Sequence, residues 1–149
     1  RNFQGYTTHG HCDLVGLGVS SISQIGDLYC QNSTDIADYQ TTLDQGQLAT
    51  RRGLHCNKDD LIRRAVIQQL ICHFQLDFED IEDLYNIDFR GYFAEIWDDL
   101  ERFARDGLIT LGPRGIDVSA SGRLLVRSLC MLFDRYLPMQ NLQRFSRVI

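Results

Sequence analysis

The rhythm of apolar and polar positions changes near residue 56. Before it, glycine breaks short apolar runs: Asp13-Leu14-Val15-Gly16-Leu17-Gly18-Val19, then Ile22 to Tyr29. These runs predict strands or extended loops, with Gly5, Gly10, Gly16, Gly18 and Gly26 at turns or close approaches. One helix is predicted from Asp35 to about Gln45, with Ile36, Tyr39 and Leu43 on one face and Gly46 as its stop. Residues 1–56 hold too few apolar side chains to make a core alone, so they read as the edge of a larger domain.

After residue 56 the spacing is helical. Asn57 can cap a helix whose apolar face is Leu61, Ile62, Ala65, Val66, Leu70, Ile71 and Phe74, with Asp59 and Asp60 favourable in its first turn. A short helix is predicted after Asp77, built on Phe78, Ile81 and Leu84. A third, capped by Asp88 and stopped by Gly107, repeats Phe89, Tyr92, Phe93, Ile96, Trp97, Leu100, Phe103 and Ala104 at three- and four-residue steps. Leu108–Leu111 and Ile116–Val118 flank Gly112-Pro113-Arg114-Gly115, a hairpin by its turn chemistry. Ser119 or Ser121 starts a last helix, Leu124 to Leu137, apolar on nearly every side and therefore expected to be buried. The expected fold is mainly α with small β: a winged-helix-like helical bundle over 57–149, preceded by a strand and loop segment over 1–56.

Composition narrows the function classes. The 149 residues are 44% hydrophobic and 23% charged, the range of an ordinary globular domain. A chain of this size buries roughly 70% of its unfolded surface and needs no disulfide or metal to hold together. No apolar run approaches the ~18 residues of a transmembrane helix. The net charge is −5, with 7 basic against 14 acidic side chains over residues 57–118 and 5 Arg against Asp134 alone over 119–149. From Asp88 to Asp106 the net is −3, so the helix that a winged-helix reader would place in a groove would be repelled by phosphates. Nucleic-acid binding is therefore the disfavoured rival. Five scattered cysteines (12, 30, 56, 72 and 130) suit reduced thiols better than a disulfide framework.

The local clusters are weak taken singly. His9-Gly10-His11-Cys12 offers three metal-type donors without an evident fourth, so no metal site is expected. No cysteine pair has the spacing that wraps a zinc ion or an iron–sulfur cluster. Gly16-Leu17-Gly18 lacks the third glycine and the immediate helix of a dinucleotide fingerprint; close packing of backbone against a neighbour explains those glycines better. Arg123, Arg127, Arg135, Arg144 and Arg147 have forks suited to carboxylates, against the plainer reading of a solvated face or pairs to the acidic middle.

Longer motifs carry more. Arg1-Asn2-Phe3-Gln4-Gly5-Tyr6-Thr7-Thr8, the segment Asp13 to Ser23, Asp60-Leu61-Ile62-Arg63-Arg64, Leu70 to Asp77, Tyr92-Phe93-Ala94-Glu95, Gly122-Arg123-Leu124-Leu125 and Phe145-Ser146-Arg147-Val148-Ile149 resemble the bacterial oxygen-independent coproporphyrinogen III oxidases (dehydrogenases). The resemblance spans essentially the whole chain; heme-chaperone relatives share the general plan without this opening motif. It implies a radical S-adenosylmethionine enzyme with a partial α/β barrel and a [4Fe–4S] cluster on a Cys-x3-Cys-x2-Cys motif. In such an enzyme a 5′-deoxyadenosyl radical abstracts hydrogen from a substrate propionate, and loss of CO₂ and an electron leaves a vinyl group. Two such steps convert coproporphyrinogen III to protoporphyrinogen IX in anaerobic heme biosynthesis.

The cluster motif is absent here, so the chain resembles only the carboxyl third and is expected to be inactive alone. Residues 1–56 then correspond to the edge of the catalytic domain and 57–149 to a helical cover. Phe3 and Gln4 match a pair that lines the family's active site and is needed for activity, and Ile22 matches a residue that touches S-adenosylmethionine. On the residues alone, Ile22 reads as an ordinary core isoleucine. Arg1 is adjacent to the Phe3-Gln4 pair and could meet a propionate. The resemblance further implies coproporphyrinogen III as substrate, an electron donor or acceptor, a cytoplasmic monomer, and neither nucleic acid nor membrane as partner.

Overall fold

The computed structural model describes residues 12–137. It is mainly helical with two small antiparallel sheets, and the chain divides into two compact units after Leu61.

In the first unit, β1 (Ile22–Ile25), β2 (Leu28–Asn32) and β3 (Thr50–His55) form a sheet in that order, with α1 (Ile36–Asp44) between β2 and β3. Asp35 caps α1 by accepting from the Asp38 N–H at 2.9 Å, and Gly46 at φ +71 lets the chain leave it. The run Ile22–Tyr29 is not one extended segment. Ile25 pairs with Leu28 across a two-residue turn at Gly26-Asp27, where Gly26 takes φ +56. Nor is Asp13–Val19 a strand: Leu14 makes a single bridge to Gln24, and Gly18 at φ +103 turns the chain out of any ladder. The sequence gives little warning of β3, whose six residues are all exposed and show no apolar alternation; its order comes from pairing with β2. Among the described residues of this unit only Ser23, Ser33, Ala49 and Cys56 are buried, which accords with the shortage of apolar side chains.

The second unit has a true core. In order it comprises α2 (Lys58–His73, its first turn preceding the division), β4 (Gln75–Asp77), α3 (Phe78–Tyr85), α4 (Phe89–Tyr92), α5 (Trp97–Arg105), β5 (Ile109–Leu111), β6 (Gly115–Val118) and α6 (Val126–Leu132). The strands run β4-β6-β5, all antiparallel. Asn57 and Asp60 cap α2 reciprocally, each side chain accepting from the other's N–H, at 3.0 and 2.9 Å. Asp77 and Asp88 cap α3 and α4 by one-way bonds, accepting from the Glu79 and Gly91 N–H groups. Ile62, Val66, Leu70, Ile81, Phe89, Phe93, Leu100, Ile116, Leu129 and Phe133 are fully buried.

Three helical expectations change. The helix read from Asp88 to Gly107 breaks at Phe93 (φ −107, ψ 25), and a 3₁₀ turn over Ala94–Ile96 leads into α5. The break sets Phe93 between Phe89 and Phe133, with ring centroids 4.8 and 5.2 Å away, so packing overrides a straight helix. Leu84, assigned to the core face of α3, is 69% exposed. The last helix is short: Gly122–Leu125 is 3₁₀, α6 ends at Leu132, and Leu124 is 88% exposed despite its apolar neighbours in sequence.

Candidate functional site

Of the residues singled out by sequence, Arg1, Phe3, Gln4, His9, His11, Arg144 and Arg147 lie outside the described residues. Ile22 is placed. It begins β1 and is 49% exposed, so it is not a core isoleucine of this chain. In the sheet it stands in register with Gln31, and Gln31 with Arg52, so the three share one face. Arg52 Nε donates to Gln31 Oε1 at 2.8 Å, while Gln31 Nε2 donates to the Ser20 carbonyl at 3.0 Å. An apolar side chain, an amide and a guanidinium thus lie in a row across three strands.

The loop that feeds Ile22 is held almost entirely by polar bonds. Gly16 N–H donates to Ser23 Oγ (3.0 Å) and Gly18 N–H to Tyr39 Oη (3.1 Å). Asn32 Nδ2 donates to both glycine carbonyls, at 3.3 and 2.9 Å. A Cβ on Gly16 would stand 2.7 Å from the Ile22 carbonyl oxygen, so this glycine is required by a backbone-to-backbone approach. The N–H groups of Gly16 and Gly18 are thereby engaged within the chain. Asn32 and Tyr39 were not legible as site residues, since one closes a strand and the other reads as part of an apolar helix face.

In the second unit, a groove of about 650 Å³ runs between Arg63, Tyr92, Glu95, Met131 and Arg135. Its inner cation is committed internally: Arg63 donates to the Phe133 carbonyl at 3.2 Å, meets Glu95 at 3.5 Å and lies 5.4 Å from the Phe93 ring centre. Arg123 is exposed, with its guanidinium 4.8 Å from the centre of the Phe74 ring. Arg127 is exposed as well. On α5, Arg102 and Arg105 pair with Asp99 and Glu101 of the same helix, at 2.7 and 3.9 Å.

The thiols point to packing rather than chemistry. Cys56, Cys72 and Cys130 are buried, and Cys12 is exposed. Burial, reinforced by the neighbouring Cys72, pushes the Cys130 thiol from 9.0 to about 12, the reverse of an activated nucleophile. Burial also raises Tyr85, against the opposing charge of Arg64. No group of three or more His, Cys, Asp or Glu that could hold a metal ion occurs among the described residues. No helix among them is long and apolar enough to cross a membrane.

Residues 56–125 match the family model of the HemN C-terminal domain. An oxygen-independent coproporphyrinogen III oxidase of Pseudomonas aeruginosa is 79% identical over all 149 residues, which cover 32% of that relative. The Escherichia coli protein of the same name is 49% identical over the whole chain and 33% of its own length. The whole chain is thus similar to about a third of the oxygen-independent coproporphyrinogen III oxidases. A solved structure of the Escherichia coli coproporphyrinogen III oxidase (HemN), titled a radical SAM enzyme, superposes on 92% of this chain with a TM-score of 0.85 at 50% identity. That match covers 32% of the solved chain. The chain spans about a third of these relatives' length, and residues 56–125 within it match the HemN C-terminal domain.

Proposed function

We propose that this chain is the carboxyl portion of an enzyme that oxidatively decarboxylates two propionates of coproporphyrinogen III to vinyl groups, giving protoporphyrinogen IX. The observation that carries the reading is identity of 79% over the full chain with an enzyme named for that substrate. In this reading residues 1–56 complete the edge of the catalytic domain and residues 57–149 cover the porphyrinogen site. The order α2-β4-α3-α4-α5-β5-β6, with the middle strand β6, supports a winged-helix topology for the cover. The protein works in the cytoplasm as a monomer, without nucleic acid or membrane as partner, and passes the released electron to an acceptor.

The residues present fit one of the two implied groups. The five cysteines are too far apart in sequence to supply a cluster motif, so the [4Fe–4S] ligands belong to other parts of the protein and no step is assigned to this chain through them. S-adenosylmethionine fits the Ile22 row: the half-exposed isoleucine can face a flat nucleoside, and Arg52, its Nε held by Gln31, offers a cation toward a carboxylate at the amino-acid end. When bound, that cofactor supplies the hydrogen-abstracting radical. Phe3 walls the macrocycle, Gln4 hydrogen-bonds beside it without adding charge, and Arg1 holds a propionate; Arg123 and Arg127, with Arg144 and Arg147, hold further carboxylates.

The test is made anaerobically on the complete, cluster-reconstituted protein. Conversion of coproporphyrinogen III with release of CO₂ and consumption of S-adenosylmethionine supports the assignment. Tight heme binding without CO₂ release would instead place the protein among the heme-chaperone relatives. The 149-residue chain alone is expected to assemble no iron–sulfur cluster and to release no CO₂. Substitution of the four tail arginines by alanine should weaken porphyrinogen binding; unchanged binding removes them from the site.

A further inference from the structure

We propose that Asn32 and Tyr39 are positioning residues that hold the loop before Ile22 in the shape needed to contact S-adenosylmethionine; the inference rests on the reading of Ile22 given above. A connecting loop on a protein surface ordinarily leaves its backbone groups to water. Here all four backbone polar groups of Gly16 and Gly18 are taken internally. Ser23 Oγ accepts from Gly16 N–H, Tyr39 Oη accepts from Gly18 N–H, and the Asn32 amide nitrogen donates to both carbonyls.

The next residues are held the same way. Ser20, at φ +60 and so in a region that L side chains seldom adopt, donates its N–H to the Ser33 carbonyl at 2.7 Å and accepts from Gln31 Nε2. Two of the four buried residues among the described residues of the unit, Ser23 and Ser33, belong to this network. The clamp therefore fixes the loop on both sides of Leu17, with Gly16 packed against the carbonyl of Ile22. It also fixes the exposed apolar side chains Val15 and Leu17 on backbone that no strand supports. A site that must meet a ligand in one geometry needs its supporting groups locked before binding.

The complete reconstituted protein, with S-adenosylmethionine as the probe in equilibrium dialysis, tests this. Tyr39→Phe removes one oxygen and should raise the dissociation constant about 5-fold, the equivalent of one hydrogen bond of about 1 kcal/mol. Asn32→Ala removes two bonds and should raise it roughly 10- to 30-fold. Combined with Ile22→Ala, Asn32→Ala should add little, because it acts through that segment. Ser119→Ala is the matched control: Ser119 also makes two hydrogen bonds, to the Gly107 carbonyl and from the Gly122 N–H, and its loss should lower the melting temperature without changing S-adenosylmethionine affinity. If Ile22→Ala weakens binding while Tyr39→Phe and Asn32→Ala stay within about 2-fold of wild type, or add fully to it, the positioning role is wrong and the reading of Ile22 stands. If Ile22→Ala itself changes nothing, that reading fails and the positioning role falls with it.

Discussion

Truncating Phe89 should unfold the second unit far more readily than truncating Leu84, although the sequence pattern makes both look like core positions. Phe89 is completely buried, stacks on Phe78 at 4.2 Å and 14°, and meets Phe93 and Phe133 at 4.8 and 6.4 Å. A buried Phe→Ala change costs about 3–5 kcal/mol through lost transfer energy and the residual cavity. The three surrounding rings come from separate parts of the chain, α3 and the residues that end α4 and α6, and cannot all collapse inward, so the upper half of that range, about 4–5 kcal/mol, is expected. Against a total stability of about 5–15 kcal/mol this approaches the limit of folding. Leu84, 69% exposed, should lose less than about 0.5 kcal/mol. Urea titration of the chain followed by tryptophan fluorescence isolates the effect, because the sole tryptophan, Trp97, sits 6.1 Å from the Phe78 ring in the same unit. A loss below about 1.5 kcal/mol for Phe89→Ala, or above about 1 kcal/mol for Leu84→Ala, would refute the packing argument.

Two other outcomes follow from local geometry. Asn57→Ala breaks the reciprocal cap on α2 and should cost about 1 kcal/mol, with faster amide exchange confined to the helix's first turn; unchanged exchange there would remove the cap from the account. Because Cys130 is raised from 9.0 to about 12 in the folded protein, its contribution to stability is whole below pH 9 and falls as pH rises through that window. Tyr85, shifted in the same direction, adds to the alkaline loss. Cys130→Ala should flatten the decline above pH 9, and in the folded wild type a thiol reagent should modify exposed Cys12 well before Cys130.

What the sequence made legible follows the strength of its local signals. Helical spacing from Leu61 to Phe74 is long, capped and stripe-like, and α2 forms where that pattern puts it. The turn Gly112-Pro113-Arg114-Gly115 likewise delivers the β5–β6 hairpin. The misplacements lie where tertiary contacts outweigh periodicity. Phe93 satisfies a helical repeat, yet the helix ends there and its ring packs between those of Phe89 and Phe133. Leu84, Leu124 and Leu125 satisfy apolar patterns but face away from the single core, which is already filled by α2, α5 and the phenylalanines. Strand β3 carries almost no pattern of its own, and β4 is only three residues long, so both are defined by their partners.

The candidate site was legible for a different reason and to a different depth. Family motifs pick out Ile22, but nothing in periodicity separates it from a core isoleucine; its half-exposed place at the start of β1 does. The residues that hold its approach loop come from 10 and 17 positions further along, on β2 and α1, and their hydrogen bonds are to glycine backbone, which leaves no side-chain signature at the other end. A unit with almost no apolar core must take its local precision from such polar bonds, because dispersion and burial supply so little there. Substitutions in this unit should therefore act on ligand geometry before they act on global stability, the opposite of what Phe89 does in its neighbour.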